Sequence, residues 1–148
     1  MRKFTGCLTI LAIALGAAIS VSAADNSAHD ALENRINQIN QDSKREGINV
    51  TLQRISTETG VSLDQVKSLH KNHSNVGPGG LMIACVLADE TRKTPEQFLK
   101  NHTNGKNWGA LARANNVSID KLTQRLDRLD KAIGHDTSNA NKNKKKAK

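Results

Sequence analysis

The chain has 148 residues, which allows one domain and excludes a large substrate-enclosing α/β enzyme or a membrane protein with several spans. Aromatic residues make up 2% of it, and this argues against a β-sandwich or barrel because strands favour aromatic and β-branched side chains. The formal net charge of +8 at pH 7 lies mostly at the two ends of the chain, so the sequence does not predict a basic face on the folded body.

The first 24 residues have the three-part pattern of a secretory signal peptide. Arg2 and Lys3 form the basic start, residues 8–21 are almost entirely apolar, and small residues follow up to Ala24. The apolar run covers 14 residues, whereas a helix needs roughly 20 to span a bilayer. We therefore expect cleavage after Ala23 or Ala24, export to the periplasm or beyond, and no transmembrane segment in the processed chain.

The last 14 residues, 135–148, form a Lys-rich tail that we expect to be disordered. The tail holds five Lys and one Asp, whereas residues 25–134 hold 15 Lys and Arg against 13 Asp and Glu. This concentration of charge predicts attraction to an anionic surface or an acidic macromolecule. The predicted binding residues are Lys142, Lys144, Lys145, Lys146 and Lys148.

Residues 25–134 are expected to form one all-α domain. Its first predicted helix opens with a capping box at Ser27, and Leu32, Ile36 and Ile39 form the apolar stripe. Because this helix is polar and rich in Asn, we expect the rest of the domain to hold it loosely.

A pattern of 12 residues then occurs three times along the domain. The copies are residues 55–66 (ISTETGVSLDQV), 87–98 (LADETRKTPEQF) and 111–122 (LARANNVSIDKL). Each copy predicts the end of one helix, a tight turn and the start of the next, with Ser62, Thr94 and Ser118 as N-caps. Gly60 and Asn116 fit a left-handed ending of the preceding helix. The pattern therefore predicts three helical hairpins.

Residues 81–88 (LMIACVLA) are apolar on all sides, which predicts a helix at the centre of the fold. Phe98 and Trp108 are expected to complete the core. The Gly-Pro-Gly-Gly segment at 77–80 has two interpretations: it holds an anion on free backbone N–H groups, or it is a flexible turn.

The last predicted helix carries an apolar seam with the 3–4 spacing of a coiled coil. The seam residues are Ile119, Leu122, Leu126, Leu129 and Ile133. Two interpretations remain open, a homodimer through this seam or a helix packed on its own domain.

Two groups of residues are candidates for chemistry. His70, His73, Cys85 and His102 could form a soft-metal site, but their spacing matches no recognised zinc pattern, and helix-end histidines with a buried cysteine are the preferred explanation. Glu58 and Glu90 occupy the same repeat position and could act as paired acid–base carboxylates, or lie on a solvated helix face. Because no motif for a nucleophile, a phosphate loop or a catalytic metal is present, we expect no enzyme and no cofactor.

Two short segments resemble binding modules. Residues 52–66 resemble the helix pair of a lysin-motif domain, which implies binding to cell-wall glycan, although the flanking strands and opening motif of that family are not visible. Residues 108–122 resemble the helix-turn-helix of DNA-binding proteins, which implies major-groove contacts by Lys121, Arg125 and Arg128. The export signal argues against contact with the genome.

A broader resemblance covers residues 51–134, with Gly-Gly-Leu at 79–81, Lys-Thr-Pro-Glu at 93–96, Gly-Lys-Asn-Trp-Gly at 105–109 and Asn-Asn-Val at 115–117. These residues resemble a group of short, exported bacterial helical proteins to which no activity is assigned. We therefore expect an all-α bundle of five to seven short helices, arranged as helical hairpins, with a non-catalytic binding role at the cell envelope.

Overall fold

A computed structural model describes the backbone of residues 23–146 and the side chains of residues 26–134. Within these bounds the chain is all-α, as predicted, and residues 23–146 contain no strand. The helices are α1 (Ala23–Glu46), α2 (Ile48–Thr59), α3 (Leu63–Asn72), α4 (Pro78–Thr91), α5 (Pro95–Thr103), α6 (Trp108–Ala114) and α7 (Ile119–Lys146). Each of these helices lacks the combination of length and hydrophobicity that a bilayer crossing requires.

Two helices are longer than expected: α1 has 24 residues and α7 has 28, and α7 continues through residues 135–146, which the sequence pattern assigned to the tail. Ser27 lies inside α1 and not at its start. The expectation that this helix is loosely held is also wrong, because it packs along α7 and across α4. Leu32, Ile36 and Ile39 are at most 5% exposed, so the apolar stripe outweighs the polar composition of the other faces.

The three predicted helix–turn–helix joints are present between α2 and α3, α4 and α5, and α6 and α7. The sixth residue of every copy has a positive φ angle: 72° at Gly60, 56° at Arg92 and 56° at Asn116. Ser62 accepts a hydrogen bond from the Gln65 N–H, and Thr94 forms a complete capping box. The repeat therefore encodes one backbone turn, which glycine and asparagine adopt readily and arginine adopts at a steric cost.

The centre of the bundle is α4, as predicted, and all eight of residues 81–88 are buried. Phe98 and Trp108 are 2% and 1% exposed. The Trp108 indole stacks on the His102 ring with centroids 4.1 Å apart and an angle of 15° between the planes. These aromatic side chains close the core on the α5–α6 side of the central helix.

The segment at 77–80 is neither a flexible turn nor an open loop, because Gly77 is the N-cap of α4 and Pro78 begins the helix. A Cβ atom on Gly79 would lie 2.6 Å from the Ile36 carbonyl oxygen of α1. Glycine is therefore required here because the backbones of α1 and α4 approach each other too closely for any side chain.

The apolar seam of α7 is buried within the single chain. Its five residues are at most 9% exposed, since α7 packs against α1, α2 and α4. The structure therefore agrees with the interpretation in which α7 packs on its own domain. Because the seam is already buried, it offers no surface for a homodimer.

Candidate functional site

The predicted anion-binding lysines all lie outside the described side chains. Residues 142, 144, 145, 146 and 148 belong to the tail, and the side-chain description ends at Gly134. The side chains of the predicted signal peptide are also outside the described part, which begins at Ala23 for the backbone and at Asn26 for the side chains. Both assignments therefore stay predictions from sequence.

Two of the three residues expected to contact DNA are engaged within the protein. Lys121 forms an ion pair with Glu90 of α4, with 2.6 Å between Nζ and Oε2. Arg125 donates a hydrogen bond from Nη2 to the backbone carbonyl oxygen of Glu58, near the end of α2. Arg128 is exposed. The first two side chains therefore tie α7 to its neighbours, and the helix-turn-helix resemblance describes how α6 and α7 join.

One of these contacts involves a carboxylate considered for acid–base chemistry, because the Glu90 carboxylate pairs with Lys121. At Glu58 the backbone carbonyl oxygen accepts the hydrogen bond from Arg125, and the side chain does not take part in it. Both residues lie in the last turns of their helices, where basic side chains stabilise the partly negative carbonyl ends. Lys121 and Arg125 of α7 therefore each bind the end of another helix.

The lysin-motif resemblance covers α2, the turn at Gly60 and the start of α3. A lysin-motif domain also needs strands on both sides of its helix pair, and none occurs in residues 23–146. The helix pair is instead one of the three repeated joints of the bundle.

The histidine and cysteine side chains considered for metal binding occupy different environments. Cys85 is 1% exposed inside α4, His102 stacks on Trp108, and His70 lies near the end of α3. Among the described residues, no three His, Cys, Asp or Glu side chains are arranged to hold a metal ion. Burial, with a smaller effect from the charge of Glu96, raises the pKa of Cys85 to about 12. The thiolate that binds metals is therefore disfavoured at this position.

A polar groove lies between α1 and α7. We call it the acidic groove, because the carboxylates of Asp42, Glu46 and Asp130 line it; its volume is about 990 Å³. Most of the remaining lining consists of four side-chain amides and the cations Arg45 and Lys131. The groove therefore offers many hydrogen-bonding groups and little apolar surface.

A network of charges at and beside the groove joins the two helices. Arg35 of α1 lies 2.7 Å from Asp127 and 3.6 Å from Asp130, measured from its guanidinium nitrogens to the carboxylate oxygens. Arg45 forms an ion pair with Asp42, whose side chain is only 11% exposed. The Asp42 and Asp130 carboxyl groups both line the groove, one from α1 and one from α7. The two like charges therefore lie close together across the helix interface.

The environment of Asp130 raises its pKa above the ordinary value. The largest cause is burial, followed by the neighbouring Asp42 carboxyl group and the negative charge of Asp127, whereas the positive charge of Arg35 acts in the opposite direction. A raised pKa in the folded state stabilises the fold at low pH. This stabilisation is lost as the pH rises from the pKa of the carboxyl group in the unfolded state, about 3.9, to its higher pKa in the folded state.

We expect the Asp130→Asn variant to be more stable than the wild type at pH 7. The amide has nearly the same shape but carries no charge, so it removes the repulsion between neighbouring carboxylates. Urea unfolding at a series of pH values tests this. The wild type should lose stability with rising pH above about 4, and the variant should lose less.

The matched control is Asp89→Asn, which removes the same charge from an exposed position near the end of α4. This variant should keep the pH profile of the wild type. An Asp130→Asn profile parallel to that of the wild type would show that the carboxyl pair does not control the pH dependence.

The carboxyl pair was missed at the sequence level, although a signal was present. Asp42 lies three residues after Ile39, and Asp130 lies four residues after Leu126, so both carboxyls continue an apolar stripe. A charged residue on a stripe that packs inward needs a polar partner, because burial of an unpaired charge is costly. The apolar stripes of α1 and α7 do not by themselves predict that the two carboxyl groups lie next to each other.

Comparison with known proteins adds no assignment to this geometry. No protein-family model, no curated protein and no solved structure matches the chain. The resemblance of residues 51–134 to exported bacterial proteins therefore stays a prediction from the sequence.

Proposed function

We propose that the protein is an exported, non-catalytic helical protein that binds anionic partners at the cell envelope through its Lys-rich tail. The observation that carries the proposal is the distribution of charge along the chain. Five lysines and one aspartate fall within the last 14 residues, whereas the body from 25 to 134 has a net charge of only +2. The leader-like pattern of residues 1–24 supports the cell envelope as the place of action.

The contacts of the body support the tail as the binding element. Arg35, Arg45 and Lys121 form ion pairs with carboxylates of the same chain. Arg125 is occupied by a backbone carbonyl oxygen. A cation that already has an internal partner contributes less to a long-range attraction, so the cluster of tail lysines is the strongest source of positive potential that we identify.

We expect replacement of the five tail lysines by glutamine to abolish binding to anionic lipid vesicles. A Lys near an anionic membrane contributes about 1 kcal/mol, so the five together predict a loss of more than about a hundredfold in affinity. Co-sedimentation of the purified full chain with phosphatidylglycerol–phosphatidylcholine vesicles measures this. Raising the salt concentration should weaken binding of the wild type, because the attraction is electrostatic.

A matched control replaces five exposed lysines of the body by glutamine, which causes the same change in net charge. Suitable positions are Lys67, Lys71, Lys100, Lys106 and Lys131. This variant should keep most of the vesicle binding. Equal losses in the two variants would show that net charge matters and the tail does not, and binding that is insensitive to salt would contradict the electrostatic basis of the proposal.

A further inference from the structure

A second groove lies where α1 and α3 end and α2 and α4 begin, and its volume is about 600 Å³. We call it the basic groove; Lys44, Ile48, His70, Ser74 and Pro78 define it. Two helix starts and two helix ends meet here, so their terminal dipoles largely offset one another. The side chains therefore decide the sign of its electrostatic potential.

The side chains that line the basic groove favour an anion. Lys44 supplies an ammonium group, His70 an imidazole, and Ser43 and Ser74 supply hydroxyls. None of its nine lining residues is an Asp or Glu, whereas three carboxylates line the acidic groove. Because the body carries nearly equal numbers of acids and bases, a groove lined by a cation and without a carboxylate is locally positive.

One wall of the basic groove is held in place by contacts inside the protein. The Asn40 side chain accepts a hydrogen bond from the Gly79 N–H at 2.9 Å, which joins α1 to the first turn of α4. A Cβ atom on Gly77 would meet the same Asn40 side chain, so glycine leaves room for it in this position. Ser43 is 3% exposed. A wall that is ordered before binding lowers the entropic cost of binding a ligand.

The His70 side chain has an unmet hydrogen-bonding capacity at this groove. Its Nδ1 atom is buried and has no hydrogen-bond partner among the described residues. A buried polar atom without a partner is unfavourable, and such atoms are rare in folded proteins. An oxygen atom of a bound ligand would supply the missing partner.

The basic groove also has an apolar side. Ile48, at the start of α2, is 36% exposed and is the large hydrophobic residue that the described chain leaves exposed. It lines the groove together with Pro78. We propose that the basic groove binds a small organic anion, with the charged group facing Lys44 and His70 and the apolar body against Ile48 and Pro78. This site is independent of the Lys-rich tail.

Titration of the purified full chain with benzoate, followed by the NMR shifts of backbone amides, tests the proposal. Benzoate should produce saturable shifts centred on the basic groove. Benzamide, which has a similar shape and no charge, and inorganic phosphate, which has charge and no apolar body, should both bind more weakly. The Lys44→Ala variant should bind benzoate about tenfold more weakly, because it loses a charge-assisted contact.

The matched control is Lys71→Ala, because this exposed lysine of α3 does not line the groove and its loss should leave benzoate binding unchanged. A His70→Phe variant, whose fold is checked by its unfolding midpoint, should also bind more weakly. Three results would overturn the proposal: equal affinity for benzamide and benzoate, unchanged binding by Lys44→Ala, or shifts confined to residues 135–148.

Discussion

Replacing Gly79 with alanine is expected to destabilise the protein by about 3 kcal/mol, at the upper end of the usual cost of overpacking. The new Cβ atom would lie 2.6 Å from the carbonyl oxygen of Ile36 and 3.0 Å from its Cα atom. Both atoms belong to the backbone of α1, so no side-chain rotation relieves the clash. Relief requires α1 and α4 to move apart, which also loosens the buried residues that lie between them.

Urea unfolding followed by circular dichroism measures this loss. The matched control is Gly134→Ala, because Gly134 is also helical, and among the described residues no atom outside its own helix backbone lies within 4 Å of an added Cβ. Alanine favours a helix over glycine by about 1 kcal/mol, so the control should be neutral or slightly more stable than the wild type. A Gly79→Ala variant as stable as the wild type would contradict the close approach of α1 and α4.

The second large effect is expected for Trp108→Ala, with a loss of about 3–5 kcal/mol in the free energy of unfolding. The indole is 1% exposed, stacks on His102 and contacts Gly80, where an added Cβ would lie 3.1 Å from the ring. Truncation removes this packing and leaves a cavity between α4, α5 and α6. A loss of this size is a large share of the stability of an ordinary domain.

Because Trp108 is the single tryptophan of the chain, unfolding of this variant is followed by circular dichroism and not by fluorescence. A Trp108→Phe variant keeps an aromatic ring on the His102 face and should lose less stability than the alanine variant. The prediction fails if the alanine variant unfolds at the same urea concentration as the wild type.

Features that depend on a few neighbouring residues were predictable. The turn at Gly60, the N-cap at Thr94 and the left-handed residue Asn116 are set by hydrogen bonds and steric contacts within one helical turn. Arg92 shows the limit of this reasoning, because it adopts the same left-handed conformation without a residue type that favours it. At Arg92 the position within the repeated pattern indicated the left-handed conformation, and the residue type did not.

The candidate sites depended on contacts that sequence periodicity does not specify. The apolar stripe of α7 was evident, but its partner was not, since the same 3–4 spacing suits a second copy of the chain or another helix. Only the packing against α1 places Asp130 beside Asp42. Similarly, nothing in the sequence marks Lys44 and His70 as parts of one site, because only the folded structure brings the ends of α1 and α3 together.

The sequence was sufficient to specify the helical class, the joints between successive helices and the central position of residues 81–88, because each follows from short-range hydrogen bonding or from hydrophobicity on every side. The three-dimensional packing was needed to show that α1 packs firmly on the bundle, that Arg125 binds the end of α2, and that the helices form both grooves. The physical reason is that a helix has several faces. Which face meets which neighbour depends on the packing of the entire core, and no segment contains that information alone.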